Sequence, residues 1–360
     1  MAFSAKGAPA ALAILALLVS ACEAESPADG SAGVPPTATP RSLTVLTHDS
    51  FSVSEDVLAA FEADHGIDVR FLEGGDTGTL VNRAVLSKDR PVADVLYGVD
   101  NTFLSRGVDE GIFEAYESPL LAAVPDSFEA DPSHGALPVD YGDVCPNYDR
   151  AFFEEAGVAP PASLEDLRRP GYRGLLVVEN PATSSPGLAF LLATIGHYGA
   201  EGYLDYWRDL VANDVKVVND WETAYNSEFT RAGGERPIVV SYASSPAFEV
   251  LYADEALDEA PTAVVTADGS CFRQIEFVGI LRGTPKRAAA EEWVDFMLST
   301  AFQEDIPLQM FVFPVNPRAA LADAFTTSLV VPEETSQVSP ADIAAHRQEW
   351  IAAWTEAVLR

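Results

Sequence analysis

Ile238-Val-Val-Ser-Tyr-Ala-Ser-Ser-Pro-Ala-Phe248 is the stretch that decides the fold. Ile238, Val239 and Val240 form a short apolar run between Pro237 and Ser241, the pattern of a strand buried on both faces of a parallel sheet. Tyr242 follows, and then Ser244-Ser245-Pro246, a helix start with a hydroxyl cap and proline at the first helical position. A strand that enters a helix through a short polar turn leaves free backbone N–H groups and an aromatic ring at the carboxyl edge of the sheet. Open α/β folds bind ligands at that edge. The device recurs at 175–190, where Leu175-Leu-Val-Val178 leads to Ser184-Ser-Pro-Gly187 and an apolar helix. Two such turns predict a small-molecule cleft.

The rest of the chain supports an α/β class. Strands are predicted at Leu43–His48, Val69–Leu72 and Ala93–Tyr97, with helices over Ser54–Asp64 and Thr79–Ser87 between them. Strand and helix in alternation give right-handed βαβ units. Short helices are expected at Asn147–Ala156 and Ser163–Arg169, a strand at Phe272–Leu281, and helices at Lys286–Leu298 and Thr300–Glu304. A last helix starts at Ser339-Pro340, and its Ile343, Trp350, Ile351, Trp354 and Val358 share one face, which is core packing.

Length and charge narrow the function. With 360 residues, 48% of them hydrophobic, the chain can build two lobes rather than one. A formal charge of −33, from 55 acidic against 22 basic residues, argues against nucleic-acid binding and permits a cationic ligand. At the N-terminus, Lys6 precedes the apolar run Ala10–Val19, too short to span a bilayer, and then Val19-Ser20-Ala21-Cys22. Residues 1–21 are therefore expected to be a removed signal peptide. The small residues before Cys22 resemble a bacterial lipobox, so Cys22 is the expected lipidation site. Residues 22–41, rich in Ala, Ser, Pro, Gly and Thr, are the expected flexible tether. Cys145 and Cys271 remain, and an exported chain with two such cysteines most often pairs them.

Searches for catalytic and metal motifs yield little. The five histidines show no metal-ligand spacing, and there is no C-x-x-C, no G-x-S-x-G and no phosphate-binding glycine fingerprint. No cofactor, metal or catalytic residue is expected. What remains are strand-end turns carrying hydroxyls, glycines and rings. Ser184 and Ser185 sit at a helix N-terminus that favours an anion or a polar ring edge, or they only cap it. Trp221, in a polar turn, and Tyr242 offer flat faces to a heteroaromatic ring or a cation. Phe311 and Phe313 are candidates to close the cleft, with core packing the better reading for one of them.

Thr47-His-Asp-Ser-Phe51, Ala93-Asp-Val-Leu-Tyr-Gly-Val-Asp-Asn101, Asp140-Tyr-Gly142, Thr183-Ser-Ser-Pro-Gly187, Trp221-Glu-Thr-Ala-Tyr225, Ser241-Tyr-Ala-Ser-Ser-Pro-Ala247 and His346-Arg-Gln-Glu-Trp350 occur in this order. On these strings, residues 43–360 resemble the thiamine-binding proteins of bacterial ABC importers, members of the type II periplasmic-binding-protein superfamily. The resemblance implies an α/β fold of two lobes with crossing hinge strands, residues 42–140 plus about 275–360 forming lobe 1 and 141–274 lobe 2. It implies a monomer that closes on thiamine or its phosphates and delivers the ligand to a permease, from a lipid anchor on the outer face of the cell membrane. Carried over residue by residue, the ligand contacts fall on Gly74, Gly75, Ser184, Ser185, Trp221 and Tyr242-Ala243-Ser244-Ser245, with Asp76, Tyr225 and Phe311 added. The chain departs from the family's pattern. His48 replaces a tyrosine, a tryptophan-bearing loop is missing, Phe248 and Phe311 stand where tyrosine and tryptophan are common, and the acid of the glycine turn is displaced to Asp76. The resemblance also places Cys145 and Cys271 beside the two crossing strands, where a disulfide would staple the hinge. Two other readings remain: a thiaminase-like enzyme using Cys145 with an acid such as Glu276, and the same fold binding a polyamine, a thiamine precursor or ferric iron.

Overall fold

The computed structural model describes residues 41–267 and 269–360; the predicted signal peptide, Cys22 and the tether up to residue 40 lie outside the described residues. The first strands are β1 (Arg41–Thr47), β2 (Ile67–Glu73) and β3 (Val95–Asp100), followed by the short β4 (Phe113–Glu114) and the long β5 (Leu137–Asp149). Next come β6 (Leu176–Glu179), β7 (Lys216–Val218) and β8 (Ile238–Tyr242), and then β9 (Thr262–Val264), β10 (Phe272–Leu281) and β11 (Phe313–Pro314). Among the described residues they form one sheet in the order β2-β1-β3-β10-β5-β8-β6-β7, with β4 on β10 and with β9 and β11 on β5.

The sheet has a parallel group at each end. β1 pairs in parallel with β2 and β3, while β6 pairs in parallel with β7 and β8. All of these but β7 are strands predicted above, and every residue of β3, β6 and β8 is buried. Between the groups lie β10 and β5, antiparallel to each other and to their outer neighbours. β5 is long enough to serve both sides: its first half pairs with β10, and Val144–Tyr148 pair with β8. The polypeptide therefore crosses the middle of the molecule on two adjacent strands.

Local chemistry sets the helix ends. Gly66, at φ 61°, ends the helix Glu55–His65, and the Ser184 hydroxyl accepts from the Gly187 N–H at the start of Ser185–Ala212. Several predicted boundaries move: β3 runs on through Gly98–Asp100, and three helix ends shift. Asn147–Asp149 finish β5 instead of opening a helix, because β8 and β9 hold them on both sides, and the helix begins at Arg150 under an Asp149 cap. The helix expected from Thr79 starts at Thr77, where the Asp76 carboxylate accepts the Thr77 N–H. The helix expected to end at Glu304 runs on to Gln309 despite Pro307. Ile343, Trp350, Ile351 and Trp354 of the last helix are buried as expected, and Phe313 packs on Ala247 and Phe325 in a satellite core.

Cys145, on β5, is bonded to Cys271, one residue before β10; their Cα atoms are 4.4 Å apart and both side chains are buried. The bond closes a loop with a sequence separation of 126. On the chain-entropy model a loop of this size stabilises by roughly 5 kcal/mol. The double variant Cys145→Ser/Cys271→Ser is expected to lower the urea midpoint by an amount equivalent to about 2–5 kcal/mol. Reductant is expected to shift the parent protein toward the same midpoint and leave the variant unmoved.

Two buried acids at strand ends make stability depend on pH. Asp100, at the end of β3, accepts from the Thr102 hydroxyl and the Phe103 N–H, and burial pushes its carboxyl up to about 8. Burial also raises Glu179, at the end of β6, well above the carboxylate range, and neither of its carboxyl oxygens has a partner. The folded state binds more protons than the unfolded chain from the ordinary Asp value of 3.8 up to about 8, so stability falls as pH rises through that window. Urea denaturation is expected to give a higher midpoint at pH 5.5 than at pH 8. Asp100→Asn is expected to reduce the difference.

Candidate functional site

A cavity of about 200 Å³ lies where the two parallel groups face each other. More than half of the lining residues end a strand or follow its carboxyl end. His48, Asp49 and Ser50 follow β1, Asp76 and Thr77 follow β2, Ser185 and Pro186 follow β6, Trp221 and Glu222 follow β7, and Tyr242 ends β8. Glu276, from the middle of β10, and the segment 309–312 complete the wall with Phe248 and Asn226. This is the strand-edge position that the opening stretch implied.

Aromatic rings form one side. Trp221 is 5.1 Å from Phe311 and 6.2 Å from Tyr242 between ring centroids, and Phe248 stacks on Phe311 at 3.9 Å. The indole is held in place: Trp221 Nε1 donates to Ser241 Oγ at 3.0 Å, which lies 2.9 Å from Ser245 Oγ. The Ser244 hydroxyl donates to the Phe311 carbonyl, fixing the segment that carries that ring. Tyr225 stacks on Trp221 at 5.1 Å from outside the lining.

The remaining wall is acidic. Asp49, Asp76, Glu222 and Glu276 line the cavity, and His48 is the one basic side chain among its lining residues. His48 Nε2 is 3.6 Å from Glu276 Oε2, an ion-pair distance longer than a hydrogen bond. Burial opposes the charge on both groups, but the attraction between them prevails, so the His48 pKa rises and that of Glu276 falls. Glu276 is directly opposite Asp140 in the β5–β10 register, and the Tyr97 hydroxyl lies 2.5 Å from Asp140 and 3.2 Å from Glu276. Burial and the Glu276 charge raise Asp140 well above its ordinary value, while Glu276 is lowered, so of the two facing carboxyls Asp140 is the one that holds a proton more readily. His48 fits only because Gly98 has no side chain: a Cβ there would come within 2.3 Å of the imidazole, at a φ of +96°.

Asp76 connects the two sides of the cavity. Its carboxylate accepts the N–H of Thr77 at 2.6 Å, of Ser185 at 3.1 Å and of Trp221 at 3.1 Å. The same turn makes three more cross-contacts: Gly78 N–H to the Thr183 carbonyl at 2.9 Å, Thr79 N–H to the same oxygen at 3.3 Å, and Ser185 Oγ with Thr77 Oγ1 at 3.1 Å. A Cβ on Gly78 would lie 2.7 Å from the Ala182 carbonyl, so this close approach requires glycine. Burial pushes the Asp76 carboxyl up to about 6, against the N–H bonds that favour its charged form.

Of the residues expected at the site, Asp76, Ser185, Trp221, Tyr242 and Phe311 line the cavity. Gly74, Gly75, Ser184, Ala243, Ser244, Ser245 and Tyr225 lie outside the lining: Gly74 N–H bonds the Thr47 carbonyl, Ser184 caps its helix, Ala243 packs on the disulfide, and Ser244, Ser245 and Tyr225 support the rings. Asp49, Thr77, Glu222 and Gln309 line the cavity without having been singled out. Asp49 and Glu222 directly follow His48 and Trp221 in strand-end turns, so the rule that found their neighbours reaches them too. Glu276 entered the sequence reading only as the acid of the enzyme alternative. Cys145 lies outside the lining, and its sulfur is bonded to Cys271.

The family model described as bacterial extracellular solute-binding protein matches residues 90–340. The thiamine-binding periplasmic proteins of Salmonella typhimurium and Escherichia coli are each 31% identical over 323 residues, 88% of this chain and 94% of theirs. A solved structure of a periplasmic thiamin binding protein superimposes with a TM-score of 0.78 at 29% identity, covering 89% of this chain and 96% of that one. These relatives are named as binding proteins, and a cleft at the carboxyl ends of two parallel strand groups joined by crossing strands is the geometry such proteins use. The chain belongs to the bacterial extracellular solute-binding proteins and has their two-lobed, type II periplasmic-binding-protein fold.

Proposed function

We propose that this protein captures thiamine outside the cytoplasm and delivers it unaltered to an ABC importer. The observation that carries the reading is a cleft combining flat aromatic faces, Trp221, Tyr242 and Phe311, with four carboxylates and no lysine or arginine in its lining. Thiamine is a flat aminopyrimidine joined to a thiazolium, so it brings ring faces, N–H donors and a fixed positive charge to those groups. The lining, four carboxylates against the single His48, supplies the counter-charge, and the rings supply stacking and cation–π attraction worth about 0.5–2 kcal/mol each. Residues 42–140 with about 275–360, and 141–274, are the lobes of the clamp, and residues near the 140 and 275 boundaries carry the hinge. Cys22 carries the lipid that holds the clamp at the outer face of the membrane as a monomer. Similarity to the thiamine-binding periplasmic proteins supports both ligand and route. No bond-making step belongs to this reading, and the disulfide leaves Cys145 without the thiol that a nucleophile requires.

The acidic wall would also suit a polyamine, which is the one competing ligand with an observation in its favour. Calorimetry with thiamine and with spermidine separates the two. Thiamine is expected to bind and to quench tryptophan fluorescence; spermidine binding with no response to millimolar thiamine would transfer the site to the polyamine. Trp221→Ala is expected to weaken thiamine by about two- to thirtyfold, the loss of one stacked ring. Glu276→Gln is expected to weaken it about tenfold as well, the loss of one buried counter-charge. Circular dichroism is expected to show both variants folded.

A further inference from the structure

We propose that His48 is an exchangeable counter-ion of the binding site: its imidazolium balances Glu276 in the ligand-free protein, and the ligand's fixed positive charge displaces the proton, which leaves to solvent. This inference rests on the thiamine reading above and adds a residue that responds to the ligand's charge. His48 lines the cavity with its side chain 11% exposed, and its Nε2 is buried, makes no hydrogen bond and stands 3.6 Å from Glu276 Oε2. Charge attraction therefore holds the proton at that nitrogen, with no hydrogen bond to add to it. The surroundings are acidic or neutral on every side. Glu276 comes from β10, Asp76 from the turn after β2, Glu222 from the turn after β7, and Asp49 follows His48 in the chain. The Tyr97 ring on β3 is 5.5 Å away between centroids, Asp140 on β5 lies opposite Glu276, and the 309–312 segment brings no charge. Burial opposes the imidazole's charge, but attraction to Glu276, Asp76 and Asp49 outweighs it and lifts its pKa above the ordinary 6.5.

A cation entering a cavity of about 200 Å³ comes close to that imidazolium, and two like charges at short range in a water-poor site disfavour each other. The thiazolium nitrogen is bonded to carbon throughout and has no proton to lose. The imidazole has one, so it is the group that yields. The exchange balances: one positive charge enters, one proton leaves, and Glu276 keeps a single cationic partner. By linkage, a ligand that expels a proton binds more tightly as that proton becomes easier to lose. Affinity for the cation therefore rises with pH up to the imidazole's pKa in the ligand-free protein and levels off above it. An uncharged ring of the same shape leaves the His48–Glu276 pair intact. The preference for a charged ligand over a neutral one thus grows as pH rises.

The test counts protons. Calorimetric titration at pH 6.5 in phosphate and in Tris, whose ionisation enthalpies differ, gives the protons released per ligand bound. The ligands are thiamine and an uncharged analogue in which carbon replaces the thiazolium nitrogen. The protein is expected to release about half a proton more with thiamine than with the analogue, and its thiamine Kd to weaken about threefold or more from pH 8.5 to pH 6.5. His48→Gln, which carries no charge at any of these pH values, is expected to lose that extra release and to flatten the profile. Asp76, pushed up to about 6, titrates in both proteins, so its share cancels in the comparison. Equal release by the parent protein with the two ligands, or equal release with thiamine by parent and variant, overturns the inference and leaves the thiamine reading standing. The two comparisons are independent, so a variant that fails to fold or an analogue that fails to bind leaves the other to decide. Failure of thiamine to bind the parent protein at any of these pH values overturns that reading, and this inference with it.

Discussion

The antiparallel pairing of β5 with β10 is the constraint on which the rest of the molecule depends. These two strands join the parallel groups, carry the disulfide at one end of their pairing, and place Asp140 opposite Glu276 in the middle. A bulge between Glu276 and Phe277 interrupts the register at that point. It occurs where β10 must pair with β3 and β5 while presenting a charged side chain to the cavity, a common use of an inserted residue.

Placing Glu276 at the crossing creates an electrostatic problem that the surrounding residues resolve in two ways. Asp140, its cross-strand neighbour, is pushed toward its neutral form, because two adjacent buried carboxylates disfavour each other's charge. Tyr97 and His48 then stabilise the charge that remains. The outcome is one ionised carboxylate aimed into the cavity instead of a pair repelling each other. A cationic ring entering the cleft meets a counter-charge whose cost of burial was met during folding, so closure on the ligand does not have to supply it.

How much of this was legible in the sequence follows from how local each signal is. β3, β6 and β8 announced themselves as apolar runs, and Ser184 and Pro186 marked their helix start, because these features depend on neighbours within a few residues. Trp221 was found by the same logic, as a large ring in a polar turn. The extension of β5 through Asn147–Asp149 was hidden, since β8 and β9 create it from roughly 90 to 115 residues away. Gly74, Gly75 and Ala243 lie outside the lining, because resemblance carries over positions and not the direction in which each group points. Glu276 had no local mark at all. Its place in the site comes from a register and a bulge, both tertiary facts.

The cross-contacts of the 76–79 turn also set how firmly the clamp can hold. The turn reaches the opposite side through Asp76 to two N–H groups, through Gly78 and Thr79 to the Thr183 carbonyl, and through Thr77 to the Ser185 hydroxyl. Each such bond contributes only about 0.5–1.5 kcal/mol net, since water takes its place on opening. Their sum is a few kcal/mol. These bonds lie at one edge of the cavity, while the rings and Glu276 form the rest of its wall. Closure and grip are therefore separate contributions: one edge sets how often the cleft opens, and the other sets which ligand is inside when it closes. A carrier needs that separation, because a solute held by closure alone could not be selective, and one held by contact alone could not be released at the membrane.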